Sequence, residues 1–336
     1  MKPVFSITPE ILNLTYDIAA ILERINIIRE RALTPQLRRD NRIKTIHSSL
    51  WIEANTLTIE QVTDIMDGKK IVGPKKDVTE VKNAIIAYDE LLDCDPYSEK
   101  DLLKQHSLLM SNLVKTAGRY RIGDVGVFSG ETPIHVAPPH SQVPALMKQL
   151  LQWVKTVSLP QVLKSCIFHY EFEFIHPFAD GNGRMGRMWQ TLLLYQENQI
   201  FAWLPVETIV AHRQEEYYRA IRRSTQKNNS GIFAQFMLTA LKDAAVEFRD
   251  KYLRGEITSN NDTVNDTVND TVNDTVNSML LRLISNNLEI TIDEMSVKVN
   301  KSRSTVIRQI NKMKEQGIIE RIGSDKSGVW KIKESH

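Results

Sequence analysis

Apolar residues recur at helical spacing through most of residues 9–250. Ile11, Leu12, Leu14, Ile18 and Leu22 make one stripe, continued by Ile25, Ile28 and Leu33. Side chains three and four apart share a helix face, so this spacing predicts amphipathic helices. A short segment is expected from Thr45 to Trp51. Thr58-Ile59-Glu60 has the form of a helix start whose buried face is Val62, Ile65 and Met66. Val81, Ala84, Ile85, Tyr88, Leu91 and Leu92 make a longer stripe, and Leu102, Leu103, Leu108, Leu109 and Leu113 continue the spacing. Further helices are expected from Val143 through Trp153, at Val162–Ile175, Arg184–Tyr195 and Thr208–Thr225, and from Ile232 to Phe248.

The pattern is interrupted between Arg119 and Pro139. Val125-Gly-Val127-Phe128 alternates, Ser129-Gly130 is a turn signal, and Ile134-His-Val136 precedes a Pro-Pro pair. A short β-hairpin protruding from a helical body is predicted. A second change comes at 256–277, where Asn-Asp-Thr-Val is repeated from Asn261, Asn265, Asn269 and Asn273. Asn, Asp and Thr favour turns and caps over helix interiors, and a four-residue unit is too small to bury a face. A solvated linker is expected there.

Residues 278–336 have their own pattern. Met279, Leu280, Leu283 and Ile284 mark one helix, and Ile292, Met295 and Val299 a second. Ser302 has the form of an N-cap for a third, with Val306, Ile310 and Met313 inward and Gly317 at its end. Ile318–Ile322 and Val329–Ile332, joined by Gly323–Gly328, read as a hairpin. Three helices and a hairpin resemble a winged helix-turn-helix domain. Between Lys301 and Glu334 nine basic residues face four acidic ones, a local excess on a chain whose formal charge is +2. Arg303, Ser304, Arg308, Gln309 and Lys312 are expected on the exposed face of the third helix, where they could contact DNA phosphates and base edges. A protein partner through 278–336 is the competing expectation, since fold does not set function.

Composition narrows the remaining choices. With 43 basic and 41 acidic residues the whole molecule is no polyelectrolyte binder. No stretch reaches the roughly 18 apolar residues of a membrane span, and the amino terminus has no signal-type apolar run, so no membrane partner is expected. Cys94 and Cys166 are too few for a disulfide framework. They fit a reducing compartment, and a cytoplasmic location is expected. His169 and His176 lack further ligands at zinc spacing, so His169 is expected on a helix face rather than on a metal.

The densest chemistry is His176-Pro-Phe-Ala-Asp180-Gly181-Asn182-Gly183-Arg184-Met-Gly-Arg187. Cys166, Ile167, Tyr170 and Phe174 form an apolar face before it, and Trp189, Leu192, Leu193 and Tyr195 one after it. A loop mounted on two packed helices is therefore predicted. Gly181 and Gly183 allow successive amides to turn into a concavity that takes an anion, at the positive end of the following helix. Arg184 and Arg187 share one face of that helix and need an anion between them. Asp180 offers one hard oxygen, which together with phosphate oxygens is how Mg²⁺ is usually held. His176 stands where an imidazole could take a hydroxyl proton. No Lys-Ser or Lys-Thr follows the glycines, so this is not a Walker loop.

His-Pro-Phe-x-Asp-Gly-Asn-Gly-Arg-x-x-Arg resembles the signature of Fic-domain proteins at every defining position. The resemblance takes in Gly118-Arg119-Tyr120-Arg121, Pro138-Pro139 and the helical amino terminus, about residues 1–250. It implies a mainly α fold with a short β-hairpin flap: an amino-terminal helical region 1–100, a Fic-type core 101–255, the linker 256–277 and a winged helix-turn-helix 278–336. It further implies transfer of AMP from ATP, with Mg²⁺, to a Ser, Thr or Tyr hydroxyl of a target protein or of the chain itself. His176 would be the base, Asp180 the metal ligand, Gly181, Asn182 and Gly183 the anion hole, and Arg184 and Arg187 the grips on the β- and γ-phosphates. The intact Gly183 favours AMP transfer, because relatives that phosphorylate carry Lys there. Val125, Val127, Ile134 and Val136 would belong to a flap that pairs with the target by strand addition.

Ser49-Leu-Trp-Ile-Glu53 resembles the family's inhibitory helix, with Ala54 where the family has Gly or Asn. Glu53 paired with Arg187 would stand where the γ-phosphate must go. Holding Glu53 in place is one use for a homodimer. Two other functions fit the same residues: a hydrolase that removes AMP from proteins, and a DNA-binding regulator whose Fic core only senses nucleotide.

Overall fold

In the computed structural model the described residues are 2–32, 34–129, 132–253, 280–281, 283–284, 287–288, 290–299, 303–315, 318–322 and 329–332. They fall into two compact units, within 1–257 and 258–336. The chain is mainly helical, with two small two-stranded antiparallel sheets.

The first unit runs α1 (Pro9–Ala32), α2 (Pro35–Ile52), α3 (Ile59–Met66), α4 (Lys75–Glu90), α5 (Glu99–Leu109), β1 (Gly126–Ser129), β2 (Thr132–Val136), α6 (Val143–Thr156), α7 (Gln161–Ile175), α8 (Asn182–Tyr195), α9 (Val206–His212), α10 (Gln214–Lys227) and α11 (Gly231–Leu253). Helix α7 is its centre. One side of it, with Val162, Leu163, Cys166, Ile167 and Tyr170, packs into a core shared with α1 and α9–α11. The other, with Phe168, Phe172 and Ile175, packs into a second core shared with α2–α6 and α8. A helix apolar around its circumference belongs in an interior, and α7 buries nearly its whole length there. The loop that follows α7 is thereby anchored on a rigid base.

Three expectations about the helices need correction. The short segment at Thr45–Trp51 is the end of an 18-residue helix, α2, capped by the Thr34 side chain on the Leu37 amide and carrying Pro35 in its first turn. Its polar first half hides the periodicity, yet Asn41 is buried and donates to the Trp203 carbonyl at 2.8 Å. The single helix expected at Thr208–Thr225 is two, broken at Arg213, whose φ of −115° leaves the helical range. Leu113 lies beyond the end of α5. The start at Thr58 takes its expected form, a reciprocal capping box with Gln61.

Strands β1 and β2 form the expected hairpin, with an irregularity between Val127 and Phe128. Its turn residues 130–131 lie outside the described residues, and Val127, Ile134 and Val136 are described as backbone only.

In the second unit, helices at Ile292–Lys298 and Arg303–Glu315 and a hairpin of β3 (Ile319–Ile322) with β4 (Val329–Ile332) enclose a core of Leu280, Ile284, Ile290, Met295, Val306, Ile310, Met313 and Trp330. Gln309, expected on the exposed helix face, is 1% exposed instead. It stands one residue before the inward Ile310, and a helical step of 100° keeps it near the core side. Met279, Ser302, Gly317, the hairpin turn 323–328 and the linker 256–277 lie outside the described residues, as do the side chains of Arg303, Ser304, Arg308 and Lys312.

Candidate functional site

Helix α7 ends at His176, which adopts a left-handed conformation, φ 51° and ψ 61°. The chain then turns into the loop 177–181 and enters α8. Gly181, at φ 86°, is the residue before the helix, and a Cβ there would lie 2.6 Å from Met110 Sδ. Both its conformation and its close approach to Met110 therefore require glycine.

The loop is closed by its own polar groups. The Asn182 side chain accepts from the Phe178 amide and donates to the Phe178 carbonyl, both at 2.9 Å. Its amide group is therefore committed to loop shape, while the N–H groups that open α8 have no partner within the helix. Asp180 accepts from the Gly181 amide at 2.6 Å and from Arg184 Nη2 at 3.1 Å, with its side chain half exposed.

Two residues without a marked sequence pattern support this loop. His106 is buried and stacked on Phe178 at 3.6 Å. The Gly118 amide donates to its Nδ1, which leaves Nε2–H for the Asp180 carbonyl at 3.0 Å. Burial, ahead of its other influences, lowers the His106 pKa to about 4, so the ring stays neutral. Arg121, also buried, donates to the carbonyls of His176 (2.8 Å), Gly123 (2.9 Å) and Pro138. One guanidinium thus fastens both ends of the hairpin to the loop that carries His176. No apolar period could mark Arg121, although it lies within the quoted Gly-Arg-Tyr-Arg stretch.

Arg184 and Arg187 project from the first two turns of α8 and meet carboxylates. Arg187 donates to Glu53 Oε1 at 2.9 Å, to the Ser49 carbonyl at 2.9 Å and to Ser49 Oγ at 3.2 Å. Ser49, Glu53 and Arg187 are thus brought together by α2 against α8. Gly183 makes room for the pair: a Cβ on it would collide with Glu53 Oε1 and come within 3.1 Å of Arg187 Nη1. Burial alone would lower the Arg187 pKa, but Glu53, Tyr217 and Tyr218 together offset this and hold it above its ordinary value. Arg184 Nη1 meets Glu80 Oε1 at 2.9 Å. Each guanidinium keeps one buried N–H without a protein acceptor, Arg184 Nε and Arg187 Nη1.

Further buried acids surround Arg187. Burial raises Glu173 to about 8 and Glu207 to about 7, with Arg187 pulling each back down. His169 is wholly buried, bonded to Gln190 and Tyr217, and burial lowers it to about 3. It is a neutral histidine of the core, where one on a helix face was expected from the sequence. Val125 is half buried at the base of the hairpin, its carbonyl accepting from the Ala137 amide.

No group of three or more metal-ligating side chains occurs among the described residues. A single half-exposed carboxylate at Asp180 fits a Mg²⁺ that takes most of its oxygens from phosphate and water.

A glycine-bearing helix start, two buried arginines and a histidine at a helix end together have the form of a Fic-type site on a helical scaffold. The family comparison agrees. The Fic/DOC family model matches residues 96–194, and a winged helix-turn-helix DNA-binding model matches 274–320. A Fic family protein of known structure from Desulfovibrio desulfuricans is 40% identical, covering 100% of this chain and 99% of its own, with a TM-score of 0.73. The chain belongs to the Fic family. Among curated relatives, protein adenylyltransferase fic-1 of Caenorhabditis elegans is 26% identical over 215 residues, and protein adenylyltransferase Fic of Drosophila erecta 24% over 212. These matches cover 59% and 60% of this chain but only 40% of either relative. The solved fragment of C. elegans Fic-1 shares the fold, with a TM-score of 0.57 at 18% identity. No helix among the described residues is long and apolar enough to cross a membrane.

Proposed function

We propose that the protein transfers AMP from ATP to a Ser, Thr or Tyr hydroxyl of a protein, itself included, and that Glu53 holds this activity back. The reading rests on one observation above the others: Glu53 occupies Arg187 beside Gly183, at the start of a helix whose amides form an anion cradle. A carboxylate is the protein's nearest mimic of a phosphate oxygen, and its place on Arg187 is the one a terminal phosphate would take.

His176 takes the proton of the acceptor hydroxyl as its oxygen bonds to the α-phosphorus. The bond from that phosphorus to the bridging oxygen breaks, and pyrophosphate leaves with the electron pair. The products are an AMP ester and pyrophosphate. Arg184 grips the β-phosphate, and Arg187 the γ-phosphate once Glu53 withdraws. The unanswered N–H groups of both arginines suit those added acceptors. Asp180 would hold Mg²⁺, which when bound neutralises charge on the phosphates. Phosphoryl chemistry of this kind is mostly positioning and charge stabilisation, which a loop locked by Asn182, His106 and Arg121 supplies. The β1–β2 hairpin, fastened at its base to the same loop, offers a strand edge to the acceptor segment.

The test is incubation with α-labelled or γ-labelled ATP and Mg²⁺. Protein label from the α-phosphate alone, absent in His176→Ala, supports AMP transfer. Label from the γ-phosphate would point to kinase chemistry. Release of AMP from a premodified protein without forward labelling would point to the hydrolase.

For residues 278–336, the match to a winged helix-turn-helix DNA-binding model supports DNA as the partner. Duplex binding that weakens steeply with added salt is the expected result. Salt-insensitive binding would favour a protein partner.

A further inference from the structure

Arg184 is held by a carboxylate that no catalytic role requires. Glu80 lies on α4, 104 residues away in sequence, and its side chain is 4% exposed against 5% for Arg184. Its Oε1 takes Arg184 Nη1 at 2.9 Å. Its Oε2 takes Asn55 Nδ2 at 2.8 Å. Asn55 is the second residue after Glu53, and it is fixed on every side: Nδ2 also donates to the Asp77 carbonyl at 3.2 Å, and Oδ1 accepts from the Leu57 amide at 3.1 Å. Asp77 in turn takes the Thr56 amide at 2.8 Å and its hydroxyl. The remaining charge near Glu80 is Lys76 Nζ at 3.8 Å, on an exposed side chain.

The two oxygens of one buried carboxylate therefore join the arginine of the β-phosphate to the chain segment that carries the brake. A fully desolvated pair of this kind is costly to form and to break, which makes it a device for fixing position rather than for reversible release. Arg184 also reaches Asp180 at 3.1 Å, so Glu80 absorbs charge that would otherwise draw Arg184 wholly onto Asp180.

We propose that Glu80 is a positioning residue, which sets Arg184 for the β-phosphate and, through Asn55, makes that pose depend on the segment that carries Glu53. The proposal rests on the nucleotide-site reading above and adds a second line of communication from brake to site. By it the inhibitory segment acts on both arginines, on Arg187 directly through Glu53 and on Arg184 through Asn55 and Glu80.

The β-phosphate is present in ADP and absent from AMP, and neither nucleotide carries the γ-phosphate that competes with Glu53. Calorimetric titration of the full chain with ADP and with AMP, at one Mg²⁺ concentration, therefore isolates Arg184. Glu80→Gln keeps the shape but removes the charge, and its single amide oxygen can accept from Asn55 or from Arg184 but not from both. It should weaken ADP about tenfold, the scale of one charge-assisted hydrogen bond, and leave AMP within about twofold. Arg184→Gln should lose ADP affinity likewise, and the Glu80→Gln/Arg184→Gln double variant should lose no more than Arg184→Gln alone. The double variant leaves neither buried charge unpaired, so its loss of ADP relative to AMP still tests Arg184 where a single variant folds poorly. Asn55→Ala should take a smaller share of ADP affinity, about threefold, with AMP unchanged.

Equal losses for ADP and AMP in Glu80→Gln would mean a merely structural role and overturn the proposal. So would additive losses in the double variant. ADP binding unchanged in Asn55→Ala would overturn the link to the brake. Wild-type protein that binds neither nucleotide would count against the adenylate-transfer reading itself, whereas ADP bound equally by wild type and Glu80→Gln would overturn only the role of Glu80.

Discussion

Arg184 and Arg187 stand three residues apart at the start of α8, and each meets a glutamate at 2.9 Å, yet the two pairs are built for different ends. Glu80 is almost wholly buried and tied to Asn55 as well. Glu53 is 30% exposed and caps the carboxy-terminal end of α2, and its carboxylate is bonded to Arg187. The buried pair gives neither partner access to water, although Arg184 also meets Asp180 and Glu80 also meets Lys76, so breaking it is costly and it serves to fix geometry. In the other pair Arg187 is just as buried, but the Glu53 carboxylate can reach water, and under the proposed reading this lets it give way to a phosphate. Identical chemistry at equal distance takes its role from solvent access and from what else each carboxylate holds.

The sharpest way to break this comparison is to remove each arginine in turn. Arg184→Ala strands Glu80 in the interior and should cost about 3–5 kcal/mol of stability. Arg187→Ala strands a glutamate that can reach water and should cost clearly less on that account. Thermal or urea unfolding decides it, and equal losses would show that the two pairs do not differ as argued.

The pH dependence of stability sharpens the account of Arg187. Burial holds Glu173 at about 8 and Glu171 and Glu207 at about 7, all above the ordinary value of 4.5. A carboxyl raised on folding keeps its proton in the native state, so its contribution is intact below about 4.5. It is lost as pH climbs towards the folded value. Melting temperature should therefore fall between pH 5 and 8, each group contributing up to about 1.4 kcal/mol per pH unit within its window. Glu173→Gln should flatten that slope. An unchanged slope would mean that Glu173 is ionised beside Arg187.

The smallest expected effect concerns Ala54, which follows the α2 cap at φ 65°. A left-handed conformation costs a residue with a Cβ about 1–2 kcal/mol, and glycine escapes most of it. Ala54→Gly should stabilise the fold by about 1 kcal/mol and lower basal transfer by holding Glu53 more firmly. A loss of stability in unfolding experiments would contradict that geometry.

The loop 176–187 was legible because its chemistry is local, with its donors, carboxylate and imidazole inside twelve residues. The departure at Ala54 was legible too, since a position where relatives carry Gly or Asn is one that suits positive φ. Glu80 was not, because it lies on α4 among ordinary helix-surface spacing and its meaning comes from partners 25 and 104 residues away. Arg121 fell within the Gly118–Arg121 stretch of the resemblance, but its role was hidden, since its four carbonyl acceptors converge only after folding. The true length of α2 was masked by Arg38, Arg39, Asp40, Asn41 and Arg42, a polar run that packs through Asn41 and through Arg42 over Tyr88 and Trp203. The break at Arg213 carries neither Gly nor Pro, so tertiary packing, not local preference, divides α9 from α10.

The most direct test of the central claim is the initial rate of α-label transfer to protein at saturating ATP, in wild type, Glu53→Gly and Glu53→Gly/His176→Ala. The account predicts a rise of about tenfold or more in Glu53→Gly, the scale of a coupling of 1–3 kcal/mol, and loss of transfer in the double variant. Equal rates in wild type and Glu53→Gly, with transfer still dependent on His176, would show that the Glu53–Arg187 pair is no brake.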